Sequence, residues 1–125
     1  MSGNPAQKTY LVPTSKDGTL VARSLSVTNT GVVVKASPGK VFVIHAHNIN
    51  ASVRYLKIYN KATTPTDSDT PIMTLPLATG FNRFDFTNLG VQFSAGISYR
   101  ASTELADNGN TAPSANETIL HLTYV

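Results

Sequence analysis

The chain of 125 residues contains no cysteine and no tryptophan. The first absence excludes disulfide scaffolds, thiolate-ligated zinc, iron–sulfur clusters and thiol nucleophiles. The second weakens the case for a sugar-stacking platform, although tyrosine can serve there. Long apolar runs are missing as well. Nothing approaches the roughly 20 residues that a membrane helix requires, so no membrane partner is expected. The N-terminus, Met1-Ser2-Gly3-Asn4-Pro5-Ala6-Gln7-Lys8, has neither the basic head nor the apolar stretch of a signal peptide. The expectation is a chain made and used without secretion. Charge is sparse: 14% of residues are charged, well under the roughly 25% of an average soluble protein. The net charge of +3 is mild, and it gives little support to nucleic acid as a partner.

Polarity comes instead from 16 threonines, 11 serines and 10 asparagines. Threonine suits a pleated, half-exposed surface, while Asn, Gly and Pro suit turns, so the composition favours β-structure over helix. Apolar residues at 41% suffice for one packed domain without a metal or disulfide staple.

The first thirty residues are the least patterned. Tyr10-Leu11-Val12 reads as a short strand before the turn at 13–18, and residues 19–27 as either strand or extended arm. From Gly31 the signals sharpen. A β-branched run, 31–36, stops at Ser37-Pro38-Gly39. Lys40 to Asn50 then alternates, with Phe42, Ile44 and Ala46 facing one way and Val41, Val43, His45, His47 and Ile49 the other. Further strands are expected over 53–60, 72–77, 81–86, 91–99 and 117–125, with polar loops at 63–71 and 107–116. Pro76 confines the end of the second of these, 72–77, to an edge or bulge. Seven or eight strands at this spacing, with no helix-period segment beyond a turn, predict an all-β fold. The expected form is an antiparallel β-sandwich, an eight-stranded jelly roll. Residues 31–125 make the sandwich, and residues 1–30 an N-terminal arm with the first short strands. Phe42, Ile44, Leu56, Ile58, Phe84, Phe86, Leu120 and Leu122 are its expected core.

Chemical signals are few. Gly39, five residues, then His45-Ala46-His47 resembles the opening of the cupin metal-binding motif, and His121 could supply a distant third ligand. The glutamate that completes such a site is missing, since none occurs before Glu104, and histidines on a solvent or subunit face are the simpler reading. No serine sits in a Gly-x-Ser-x-Gly elbow, and no phosphate-cradling glycine loop occurs. No catalytic residue, enzyme activity or cofactor is therefore expected. One stripe suggests a partner: Tyr55, Lys57, Tyr59 and Lys61 share a strand face with Arg54 at its start. Such a stripe could stack bases or meet an acidic protein; half-buried tyrosines beside solvated lysines are the plainer alternative.

Four stretches carry a resemblance: 32–39 (VVVKASPG), 54–65 (RYLKIYNKATTP), 69–77 (DTPIMTLPL) and 90–99 (GVQFSAGISY). Together they are similar to small virion proteins of tailed bacteriophages, over residues 30–125. The resemblance implies a capsid decoration, or cement, protein: a homotrimer that binds the major capsid protein on the outer surface of the head after synthesis in the host cytoplasm. The polar, slightly basic arm would aid attachment through Lys8 and through Tyr10, Leu11 and Val12, the last three added as a strand to a neighbour's sheet edge. The runner-up is a glycan- or host-binding module of a tail or fibre, and the third is a cupin-like metal protein.

Overall fold

Turn chemistry and alternation divide the chain into nine strands among the residues described by a computed structural model, 18–86 and 88–125. They are β1 (Leu20–Ser24), β2 (Val32–Lys35), β3 (Gly39–Asn48), β4 (Arg54–Asn60), β5 (Met73–Leu77), β6 (Gly80–Asp85), β7 (Val91–Phe93), β8 (Ile97–Ser102) and β9 (Thr118–Tyr124). No helix occurs among the described residues. Every pairing is antiparallel. A first sheet runs β1-β9-β3-β6, with β7 also paired to β3, and a second runs β2-β8-β4-β5. The all-β sandwich expected from the sequence is therefore the fold.

The two sheets bury one face each against the other. Ile44, Leu120 and Leu122 from the first meet Leu56, Ile58, Leu77, Ile97 and Tyr99 from the second, with Val27, Val41 and Phe93 beside them. Of the eight expected core residues, five are fully buried, and Phe84 and Phe86 are partly buried against the cluster. Phe42 is the correction. Val41 pairs with Tyr124 and Val43 with Thr123, so Phe42 is an extra residue in the ladder, a β-bulge. The bulge reverses the alternation. Val41 points inward before it, and Ile44 and Ala46 after it, while Phe42 turns out of the core.

A second departure is the run 91–99, which reads as one strand but serves both sheets. Asn60 Oδ1 accepts the amides of Ala95 (2.8 Å) and Gly96 (3.3 Å), stapling the crossing between β7 and β8 to the end of β4. A Cβ on Gly96 would lie 2.7 Å from the Lys35 carbonyl and 2.8 Å from Ala62 Cα, so the corner has room only for glycine. Pro76 lies on β5, the edge of the second sheet, where its missing amide costs no ladder bond. At the other end of the sequence, β1 pairs with β9 along its whole length and Val27 enters the core, so residues 20–27 belong to the sandwich.

Candidate functional site

Period-two alternation on four neighbouring strands builds the most distinctive surface, the outer face of the first sheet. With Leu120 and Leu122 pointing inward, His121 must point out. The same parity turns out Arg23 on β1, His45 and His47 on β3 after the bulge, and Phe81, Arg83 and Asp85 on β6. Register then aligns Arg23 with His121, His121 with His45, and His45 with Arg83 in one row across the sheet. Arg23 Nε donates to His121 Nε2 at 3.1 Å, and Arg83 Nε donates to His45 Nε2 at 3.2 Å. Arg83 also pairs with Asp85, Nη2 to Oδ2 at 2.9 Å.

Apolar groups flank the row. Phe81 is 67% exposed, with its ring centroid 5.5 Å from that of His45 and 6.5 Å from that of His47. Val21 is 62% exposed, and Leu25 and Ile49, just past the ends of β1 and β3, are 52% and 57% exposed. The face can thus offer hydrogen-bond donors, positive charge and apolar contact to a flat partner.

Of the candidate metal ligands, the fold brings His45 and His121 directly opposite one another, whereas His47 pairs with Ile119 and Phe81. The Nε2 atoms of the opposed pair are engaged by guanidinium groups, which also repel a cation. Among the described residues no group of three or more His, Cys, Asp or Glu side chains could hold a metal.

The middle of the tyrosine–lysine stripe is buried. Lys57 and Tyr59 are buried beneath the loop of residues 103–117, which folds back over the second sheet. Lys57 Nζ donates to the carbonyls of Ala106 and Gly109. Arg100, its cross-strand neighbour and also fully buried, donates to Tyr59 Oη at 2.7 Å, Gly109 O at 2.9 Å and Asn110 Oδ1 at 3.1 Å. Glu104 Oε1 pins the loop by accepting the amides of Asn110 and Thr111. Burial, then the charge of Arg100, holds the Lys57 ammonium below its ordinary value of 10.5, and burial raises the Tyr59 phenol above 10.0. These residues brace the loop from beneath. Tyr55 is half-buried, Arg54 pairs with Glu117 at 2.6 Å, and Lys61 pairs with Asp69 at 2.7 Å. Lys8, Tyr10, Leu11 and Val12 lie outside the described residues.

No family model, curated protein or solved structure matches this chain.

The bulge has a second consequence. Phe42, turned outward, lines an open cleft of about 350 Å³ with Lys35, Pro38, Lys40, Gln92 and Val125. Sequence reading missed both this cleft and the two arginines of the row. Arg23 and Arg83 each carried the signal of alternation within their own strands, but nothing in one strand told which residues stand opposite in the next.

Proposed function

We propose that this chain is a structural protein of a tailed-phage virion, a decoration protein that binds the expanded head from outside as a homotrimer. The observation that carries this reading is the strand order. With β6 and β7 counted as two halves of one interrupted strand alongside β3, the sheets β1-β9-β3-β6 and β2-β8-β4-β5 fit the four-by-four order of an eight-stranded jelly roll. That is the form implied by the virion proteins the sequence resembles. The four resembling stretches supply β2, β4, β5, β7 and part of β8, so the likeness lies in the framework and not in a catalytic cluster.

The mechanism requires no chemistry and no cofactor. A ligand that binds only the expanded lattice of the major capsid protein stabilises that state by mass action. Three linked copies raise avidity, so each contact can be modest. Purified chain mixed with expanded and with unexpanded heads tests the reading. Saturable binding to expanded heads alone, at a stoichiometry set by lattice symmetry, is the expected result, together with a solution mass three times that of the chain. The cleft lined by Phe42, Lys35, Lys40 and Gln92, an aromatic ring among polar groups, favours the fibre-associated glycan reading as the alternative. Labelling of host cells with no binding to heads would select it.

A further inference from the structure

We infer that the outer face of the first sheet docks onto a carboxylate-bearing protein surface, with Arg23 and Arg83 as its anchors. The inference rests on the decoration reading, within which that surface is the exterior of the capsid shell. Hydrogen bonds to the imidazoles fix each guanidinium through Nε at 3.1 Å and 3.2 Å, leaving terminal nitrogens to meet a ligand. Arg83 commits one of them to Asp85, and Arg23 commits none among the described residues. A guanidinium held in place is a preorganised fork for a carboxylate, with less side-chain freedom to lose on binding.

Charge complementarity decides the occupant. A second copy of this chain has little to offer the row. Asp69, Asp85 and Glu117 already pair with Lys61, Arg83 and Arg54, and Glu104 caps loop amides. Exposed Asp67 and Asp107 sit in separate loops, so the described residues contain no acidic patch to match two arginines. The exposed aliphatic groups Val21, Leu25 and Ile49 suit a protein partner better than a nucleic-acid backbone, which would call for more cations than two arginines.

The test uses the full chain and expanded heads assembled from the major capsid protein of the same phage. Wild-type binding should weaken with added salt. Arg23→Glu/Arg83→Glu should weaken it roughly tenfold or more, with folding checked by circular dichroism and melting. The acidic control Thr64→Glu/Leu105→Glu, at exposed positions in loops joined to the second sheet, should bind within about twofold of wild type, as expected of charges off the contact face. Val21→Asp, a change on an exposed edge strand, supplies a second reading of the same face and should also weaken binding. Unchanged binding by the folded face variants, equal loss in the control, or preference for duplex DNA over heads would overturn the inference while leaving the decoration reading intact. If the wild-type chain binds no heads at any salt concentration, the decoration reading fails and takes this inference with it.

Discussion

Replacing Arg100 with leucine would strip donors from Tyr59 Oη, Asn110 Oδ1 and the Gly109 carbonyl at once. Hydrogen bonds to a charged donor contribute about 1.5–3 kcal/mol each, but leucine removes the desolvation cost of a buried charge and the Gly109 carbonyl keeps Lys57 Nζ, so Arg100→Leu should destabilise by about 2–4 kcal/mol. The same variant should be cleaved faster by protease within residues 103–117; equal cleavage rates would mean that the loop does not depend on Arg100. Glu117 governs the acid side. Burial pushes its carboxyl up, but hydrogen bonds from Arg54 and Asn50 and the Arg54 charge outweigh that, and the net shift is below the ordinary 4.5. Asp69, bonded to Lys61 and the Thr66 amide, likewise lies below 3.8. Groups whose folded pKa is depressed contribute stability that is complete above their unfolded values and drains away as pH falls through the folded ones. The melting temperature should therefore hold through neutral pH and fall below about pH 4.5. Glu117→Gln should lower the neutral value and flatten the acid decline; an acid limb identical to wild type would contradict the assignment.

At the scale of elements, strands were legible wherever alternation and turn residues coincided. Residues 117–125 are the clearest case, since Leu120 and Leu122 are buried and His121 turns outward as the alternation requires. Pro76 limited its strand to an edge or a bulge, and β5 is the edge of the second sheet. Alternation failed at Phe42 because a bulge is fixed by the partner strand: Thr123 and Tyr124 set the mismatch, and they lie some eighty residues away in sequence. The burial of Lys57 and Tyr59 within the Tyr55–Lys61 stripe was hidden for a related reason. Lys57 and Arg100 are covered by backbone carbonyls of a polar loop, and composition gives no sign that such a loop will fold back. The Arg23–His121–His45–Arg83 row was half visible, since the histidines stood out but their guanidinium partners emerge only from register. Gly96 offers a test of the crossing between sheets. Its added Cβ would press on three backbone atoms, those of Lys35, Lys61 and Ala62, within 2.7–2.9 Å, so Gly96→Ala should cost about 1–3 kcal/mol in a denaturant titration. A neutral substitution would mean that the corner can relax.

For the whole molecule, two paired sheets leave one broad face to a loop and the other to solvent. The second sheet hides Lys57 and Arg100 under residues 103–117, whereas the first displays Arg23, Arg83 and four exposed apolar side chains. That asymmetry suits a protein which meets a shell on one side and water on the other. The most direct measurement is a virion map at a resolution that traces side chains. The account predicts density for this chain on the outside of the head, in groups of three, with the Arg23–Arg83 face turned toward the capsid shell. Density confined to the tail, or absent from the head exterior, would contradict it.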